Sequence, residues 1–303
     1  MLGSEILRLS RHSLGIILAI VGSLCWGIQG PVSQFLFQDA HYSPEWLMGI
    51  KMTISGILIL LFAKLIKRQP ILSLWTDRHH LWIFLAYAIL GLAAVQYLYL
   101  VTVQVSNAGT ATILQNLGTV LIVIFTIIIY HRFPTKYEAM AVLVALIGTW
   151  LLVTKGHLMY LSIGKSTLCF GLLLALAGAL QTMLPVPLLK RFSTLIVVGW
   201  AMIVGGLIFT ALHPFWVRSP HFTLGGVIGV AFIVLFGTML SFICFISSLN
   251  YISPTVAGML DTFEPLSATA GAILFLGTSF NFPELMGGIL ILSTVFILAL
   301  DKD

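Results

Sequence analysis

The chain alternates between long runs of apolar residues and short polar or charged connections. Each run is long enough for one membrane crossing by an α-helix, which takes about 20 apolar residues. The runs are too long for transmembrane β-strands, which need only about 10 residues of alternating polarity. The pattern therefore predicts an all-α integral membrane protein with ten transmembrane helices, named α1 to α10. Their predicted spans are 14–37, 44–65, 81–103, 107–130, 135–154, 166–188, 193–213, 224–250, 254–277 and 283–300.

The composition agrees with a membrane protein. Of the 303 residues, 59% are hydrophobic and only 8% are charged, whereas a soluble domain carries about 25% charged residues. This excludes a soluble enzyme, a nucleic-acid-binding protein and a disordered chain. Ten helices leave only short loops, so the expected partners are the lipid bilayer and a small-molecule solute, without nucleic acid. The chain is expected to work as a monomer or a homodimer.

Basic residues indicate the orientation. Arg8 and Arg11 precede the first apolar run as in a signal peptide, but that run exceeds the usual apolar core of about 7–15 residues, so we expect a retained helix. Lys and Arg concentrate in the N-terminal tail and in the α2–α3, α4–α5 and α6–α7 connections, which the positive-inside rule assigns to the cytoplasm. We therefore predict a protein of the cell (plasma) membrane with both termini cytoplasmic. This requires separate helices α8 and α9, and Asn250, Ser253 and Pro254 supply the break between them.

The second half of the chain repeats features of the first. Gly15 and Ala19 of α1 match Gly171 and Ala175 of α6. The further matching pairs are Gly22 and Gly178, Leu24 and Leu180, Pro31 and Pro187, Gly49 and Gly199, Gly56 and Gly206, Ser106 and Ser253, and Glu138 and Glu284. Because each half has an odd number of helices, the halves insert with opposite orientation. Such inverted repeats are typical of alternating-access transporters, whose substrate site lies between the halves near the membrane midplane.

The repeat divides the chain into five parts. They are a cytoplasmic tail 1–13, a first five-helix repeat 14–154, an inter-repeat loop 155–165, a second five-helix repeat 166–300 and a cytoplasmic tail 301–303. Small residues four apart in α1, from Gly15 to Gly27, form a ridge that lets helix backbones approach closely in lipid. We give this ridge a packing role only.

Two short motifs carry a resemblance to a known family. They are Trp26-Gly27 in α1 and the segment Ala257–Pro265, which ends in Glu-Pro and is followed by Gly277 at the close of α9. In this order, within ten helices and two repeats, they resemble the drug/metabolite transporter superfamily, EamA type. The resemblance covers nearly the whole chain. It implies export or exchange of amino acids and small metabolites, without implying which one.

The chain departs from the family pattern at four positions. Lys51 stands where the family often has arginine, and Gly118 stands where α4 of the family has proline. His131 and Thr278 replace the glutamates that follow α4 and α9. Family members that use those glutamates in gating are therefore poor guides to this protein.

Glu264 is the leading candidate for a functional residue. A carboxylate within an apolar helix is costly and normally faces a cavity or a partner. Asp261 lies one turn away on the same face, and two neighbouring carboxylates resist double ionisation. The pair is thus predicted to bind a proton or a cation, and the alternative is a structural carboxylate bonded to backbone or to Ser and Thr. Pro265 predicts a helix kink and a freed carbonyl that could coordinate substrate.

Other polar residues within apolar helices are candidates for the transport pathway. Trp26 could stack on a ring or bind a cation, or it could only pack between helices. Lys51 could pair with Glu264 or Asp261, bind a substrate carboxylate, or extend outward to the interface. The remaining candidates, which could instead join helices by hydrogen bonds, are Gln29, Gln96, Tyr97, Gln115, Asn116 and Gln181, with Tyr99 beside Gln96 and Tyr97.

The sequence contains little that indicates catalysis. It has no phosphate-binding loop, no HExxH motif and no recognisable Ser-His-Asp arrangement. The His79-His80 pair lacks further ligands at metal-binding spacing, and Cys25, Cys169 and Cys244 lie singly in apolar segments. We therefore predict no catalytic residues, no metal and no cofactor, apart from possible proton coupling.

Three functions remain open. The leading one is a secondary active transporter, an exporter or exchanger of amino acids or related small metabolites, that works by alternating access. A second is an exporter of organic cations or drugs, suggested by the two carboxylates and Trp26. A third, from another class, is a non-transporting membrane sensor or a membrane-bound enzyme, against which the inverted repeat argues.

Overall fold

The computed structural model describes residues 11–38, 42–105, single positions between 111 and 131, 133–154, 165–214, 216–217, 220–276 and 282–300, and every regular element within these residues is a helix. The described positions of α4 between Ala111 and Ile128 are helical. The other bounds are α1 Arg11–Gln38, α2 Pro44–Leu61 with Phe62–Ile66, α3 Arg78–Ala86 with Tyr87–Ala93 and Ala94–Val105, α5 Lys136–Thr154, α6 Lys165–Met183 with Pro185–Leu189, α7 Thr194–Leu212, α8 Leu224–Phe232 with Ile233–Leu240 and Ser241–Ser248, α9 Pro254–Leu260 with Phe263–Leu276, and α10 Phe282–Ala299. A short helix, Ser73–Thr76, lies between α2 and α3.

Two boundaries bear on the predictions. α1 begins at Arg11, so the last residues of the predicted tail 1–13 belong to the helix. The break between α8 and α9 lies where it is predicted: α8 ends at Ser248, and Pro254 opens α9. The Ser253 hydroxyl accepts a hydrogen bond from the Val256 backbone N–H, which satisfies one of the unpaired donors at the start of a helix.

The helices have the length and surface of membrane spans. Within the described residues, six helices are long and apolar enough to cross a bilayer: Arg11–Phe37, Pro44–Ile66, Arg78–Thr102, Lys165–Leu189, Thr194–Leu212 and Leu224–Ser248. Large apolar side chains such as Leu65, Trp82, Leu224 and Phe296 are exposed. Such an extensive apolar surface is stable only against lipid or a partner.

Three helices contain a π-helical stretch: Phe62–Ile66 in α2, Tyr87–Ala93 in α3 and Ile233–Leu240 in α8. A π turn adds a residue to the helical repeat, so it rotates the residues after it relative to those before it. The stretch in α3 ends just before Val95 and Gln96. It therefore sets which face of the second part of α3 is turned toward the neighbouring helices.

Helices pack mainly across the two halves of the chain. α1 lies against α8 and α9, while α6 lies against α3 and, through Gly171 and Leu114, against α4. α2 packs against α7, and α5 packs against α10. The α2–α7 contact is close because Gly56 faces Ile203 while Gly206 faces Thr53. The helices named here thus find their main described neighbours in the opposite half.

Gly27 allows α1 and α9 to approach backbone to backbone. A Cβ atom at this position would overlap with the Ser267 hydroxyl and the Glu264 carbonyl oxygen, and it would lie 2.7 Å from the Ala268 backbone nitrogen. Backbone atoms cannot move aside as a flexible side chain can. The glycine therefore positions α9, and with it Glu264, directly against α1.

The connection between α2 and α3 docks on the beginning of α7. The Trp200 indole N–H donates to the Ile71 carbonyl oxygen at 2.7 Å, and the Ser193 hydroxyl donates to the Gln69 side-chain oxygen. Trp75 packs edge-on against Trp200 with ring centroids 5.2 Å apart. These contacts join the two halves of the chain at one end of the helical bundle.

Candidate functional site

A small central cavity of about 30 Å³ lies between α1, α3, α4, α6 and α9. Polar and aromatic side chains make up most of its wall, which is unusual inside a bundle of apolar helices. The lining residues are Trp26, Gln29, Val95, Gln96, Tyr99, Gln115, Gln181 and Glu264. Both halves of the chain contribute, because α6 and α9 belong to the second half.

Glu264 lies at the cavity wall where α9 is interrupted. The first part of α9 ends at Leu260, and the second begins at Phe263, so Asp261 and Thr262 form a turn within the helix. Glu264 is 7% exposed, and its Oε2 accepts a hydrogen bond of 2.9 Å from the Gln115 side-chain nitrogen on α4. The carboxyl group is thus buried, faces the cavity and is held by a residue of the opposite half.

Pro265 follows this interruption closely. The proline lies in the first turn of the second part of α9. A proline ring has no N–H and clashes with the carbonyl four residues earlier, which here belongs to Asp261. The helix therefore breaks one turn before the predicted kink.

Asp261 lies outside the cavity lining. Its Oδ1 accepts a hydrogen bond of 2.8 Å from the Ser23 hydroxyl on α1, and Ser23 is fully buried. The Glu264 backbone N–H donates to the Asp261 carbonyl oxygen at 2.9 Å. Asp261 therefore ties the broken segment of α9 to α1, and Glu264 alone of the two carboxylates reaches the cavity.

Trp26 forms an aromatic wall of the cavity. Its ring lies between Phe242 and Phe245 of α8, at centroid distances of 4.8 and 4.9 Å. Within the described residues, the Trp26 indole nitrogen and the side-chain oxygens of Gln29 and Gln181 are buried without a hydrogen-bond partner. Buried polar atoms normally have partners. Trp26, Gln29 and Gln181 therefore bring polar atoms to the cavity that are available for further hydrogen bonds.

Lys51 is buried in α2, only 1% exposed, and it does not extend to the interface. Its ammonium group donates a hydrogen bond to the side-chain oxygen of Gln96, a lining residue. It pairs with neither Asp261 nor Glu264, whose described hydrogen bonds come from Ser23 and Gln115. Lys51 thus stands directly behind the cavity wall.

The two tyrosines of α3 lie differently with respect to the cavity. Tyr97 does not line the cavity; its ring packs against Phe209, with centroids 5.2 Å apart. Tyr99 lines the cavity in its place. The periodicity of the helix explains this, because residues three apart share a face and Tyr99 follows Gln96 at that spacing. Asn116 lies outside the described residues.

The histidine pair lies away from the cavity. His79 and His80 are in the first turn of α3, where the Asp77 carboxylate accepts hydrogen bonds from both backbone N–H groups. Among the residues the structure describes, no cluster of three His, Cys, Asp or Glu side chains has the arrangement of a metal site.

Similar proteins place the chain in a family. The sequence matches the EamA-like transporter family over residues 13–154 and again over residues 165–300. It is 34% identical over 291 residues to the uncharacterized inner membrane transporter YicL of Salmonella typhimurium, covering 95% of this chain and 96% of that protein. It is 22% identical over 304 residues to an uncharacterized transporter of Methanothermobacter thermautotrophicus, covering 95% and 87%.

The fold has also been seen in a solved crystal structure. That structure superimposes with a TM-score of 0.79 and 15% sequence identity, covering 95% of this chain and 97% of the other. At this identity the likeness shows the fold alone. The family match extends over most of the chain, in two successive stretches. The chain is therefore a multi-pass membrane protein that belongs to the EamA-like transporter family.

Proposed function

We propose that this protein is a secondary active transporter, an exporter or exchanger, of amino acids or related small metabolites. The observation that carries the proposal is the central cavity, lined by Glu264, four amide side chains, Trp26 and Tyr99. Its polar atoms without partners suit a small solute that both donates and accepts hydrogen bonds.

We propose further that ten helices form two inverted five-helix repeats, which rock against each other. The cross-half packing supports this, because α1 against α8 and α9 corresponds to α6 against α3 and α4 when the halves are exchanged. The family matches over 13–154 and 165–300 are consistent with two related units. A cavity between such units can open to either side of the membrane in turn.

The orientation belongs to the same proposal. Both termini lie in the cytoplasm, because Lys and Arg concentrate in the connections that would then face inward. The contacts between the α2–α3 connection and α7 lie at that end of the bundle. The membrane is the cytoplasmic membrane, in keeping with the Salmonella relative, which is named as an inner membrane transporter.

Glu264 is the proposed coupling residue. Its carboxyl group is buried at the cavity wall and accepts a hydrogen bond from Gln115 across the two halves. Burial disfavours the charged form, so binding and release of a proton here would be linked to which side the cavity faces. Proton release on one side and uptake on the other would then drive the solute against its gradient.

The test is flux of a mixed pool of radiolabelled amino acids into proteoliposomes under an imposed pH gradient. Wild-type protein and Glu264→Gln are compared, because glutamine keeps the shape and cannot exchange a proton. We expect gradient-driven flux in the wild type and its loss in the variant, with exchange between equal pools retained. Flux of Glu264→Gln with the pH dependence of the wild type would disprove the coupling role.

A second candidate is export of organic cations. This candidate is favoured because Trp26 and Glu264 line the same cavity, and an aromatic face and a carboxylate both attract a cation. If folded wild-type protein carries no amino acid, a panel of quaternary and aromatic amines is tested next in the same vesicles. Flux of amines alone would replace the first proposal with this one.

A further inference from the structure

Lys51 is a buried lysine, and none of the described carboxylates forms an ion pair with it. It is 1% exposed in α2, and its hydrogen bond goes to the neutral amide of Gln96. Neither of the described ion pairs includes it. An ionised side chain inside a membrane bundle is costly unless an opposite charge or a dipole compensates it, and it commonly marks a functional pathway.

The hydrogen bond from Lys51 fixes the polarity of Gln96. An amide side chain has one oxygen that accepts and one NH₂ group that donates. Because the ammonium group occupies the oxygen, the NH₂ group of Gln96 remains as the donor available to a ligand. The Trp26 indole N–H, which has no partner among the described residues, lines the same cavity. This gives the cavity two donors backed by one positive charge.

Other lining residues have the complementary polarity. Glu264 supplies a carboxylate, and the side-chain oxygens of Gln29 and Gln181 are acceptors without partners in the described structure. The cavity thus combines acceptors of the kind that suit an ammonium group with donors of the kind that suit an anion. A solute with only a positive charge would leave Lys51 uncompensated.

We propose that the transported solute carries a carboxylate, and that Lys51 selects for it by holding the Gln96 amide as a donor and by supplying the compensating positive charge. This inference rests on the proposed transport function and narrows its substrate class to zwitterions and carboxylates. Lys51 acts through Gln96 and is not itself a lining residue, so it is a positioning residue. The Glu264 carboxylate would then receive the amino group of a zwitterion.

The test compares three groups of competitors against uptake of the mixed radiolabelled amino-acid pool in proteoliposomes. They are amino acids, the corresponding amines that lack the carboxylate, and the corresponding acids that lack the amino group. For wild-type protein we expect amino acids to compete best and amines to compete least. Amines that compete as well as amino acids would overturn the inference without any variant.

Variants then test Lys51 itself. Lys51→Met removes the charge and keeps the length of the side chain, whereas Lys51→Arg keeps the charge. Ser55→Ala is the control on the same helix. It removes a buried hydroxyl that donates to the Val234 carbonyl oxygen and does not line the cavity. We expect Lys51→Met to raise the KM for amino acids at least about tenfold, as for loss of a charge-assisted hydrogen bond. Competition by amines should stay unchanged, Lys51→Arg should restore most of the affinity, and Ser55→Ala should resemble the wild type.

The outcomes distinguish a failure of the proposed transport function from a failure of the proposed role of Lys51. If folded wild-type protein carries no amino acid, the transport proposal for this substrate class fails. If it carries amino acids but Lys51→Met leaves every KM unchanged, or raises the KM for amines equally, only the role of Lys51 fails. Should Lys51→Met not fold, the wild-type competition series and the Lys51→Arg variant still decide, because equal competition by amines contradicts the inference.

Discussion

The Gln115 side chain on α4 donates a hydrogen bond of 2.9 Å to the Glu264 carboxylate on α9. The two helices belong to opposite halves of the chain, so this bond crosses the cavity between them. Any relative motion of the halves must change it. In the proposed mechanism, this bond would link the protonation of Glu264 to the relative position of the two halves.

Gln115→Leu should weaken transport by removing the donor that holds Glu264. Leaving a buried polar partner unsatisfied costs about 1–3 kcal/mol, so gradient-driven flux should fall by roughly 5- to 150-fold. The measurement is flux of the amino-acid pool under a pH gradient. Leu114→Met, a nearly isosteric change at the preceding buried residue, serves as the control and should keep most of the flux. Equal flux of Gln115→Leu and wild type would show that the bond is dispensable.

Gly27→Ala should destabilise the protein. The added methyl group would overlap with the Glu264 carbonyl oxygen and the Ser267 hydroxyl, and overpacking costs typically about 1–3 kcal/mol. Gly30→Ala on the same helix is a matched control, because the nearest atom to its Cβ is the Tyr99 hydroxyl at 3.7 Å. Thermal melting of the purified variants should show a lower midpoint for Gly27→Ala only. Similar midpoints for both would contradict the close contact of α1 with α9.

Much of this architecture could be predicted from the sequence, because the bilayer requires long apolar helices and disfavours polar side chains that face lipid. Amides such as Gln29 and Gln181 are unfavourable in lipid and were expected in the interior, where the structure has them. The partner of Lys51 could not be predicted, since it depends on how α2 and α3 are rotated against each other. The π-helical stretch in α3 contributes to that rotation and has no signal in the apolar pattern.

The position of the interruption in α9 also depends on more than the sequence pattern. Pro265 signals a disturbed helix, but only the structure shows that the break falls at Asp261 and Thr262. Composition alone cannot say which carboxylate then turns toward the cavity. Asp261 bonds to Ser23 and Glu264 faces the cavity, so two residues that share a face by spacing have different surroundings.

Trp26→Phe should reduce affinity for the solute without unfolding the protein. Phenylalanine keeps an aromatic ring against Phe242 and Phe245 but removes the indole N–H that lacks a partner in the described structure. Loss of one neutral hydrogen bond to the solute is worth about 0.5–1.5 kcal/mol, which corresponds to a rise in KM of roughly 2- to 10-fold. KM is measured by uptake of the amino-acid pool.

Trp82→Phe is the control for this change, because Trp82 is 76% exposed on the outer surface of α3. It should leave KM unaltered. A Trp26→Phe protein with the affinity of the wild type would mean that Trp26 only packs against α8.

The pH dependence of stability should reveal the contact between the α2–α3 connection and the α6–α7 connection. The Asp77 carboxylate lies 3.1 Å from the His80 Nδ1 atom and 2.8 Å from the Arg191 Nε atom, and it caps α3. The hydrogen bond from His80, assisted by the charge of Arg191, holds the pKa of Asp77 below its usual value. The groups that face this carboxylate are thus His80 and Arg191, and the His79 ring packs edge-on against the His80 ring.

A carboxyl group whose pKa is lowered on folding stabilises the folded state at pH values above its unfolded pKa, which is about 3.9 for aspartate. This contribution to stability disappears as the pH falls through the lowered pKa of the folded state. Asp77→Asn should therefore melt at a lower temperature than the wild type at neutral pH. The difference should shrink as the solution is acidified below about pH 4. Arg191→Gln should show a smaller effect of the same sign, since it leaves the His80 bond intact. A melting difference between Asp77→Asn and wild type that stays constant from neutral to strongly acidic pH would contradict this account of the contact.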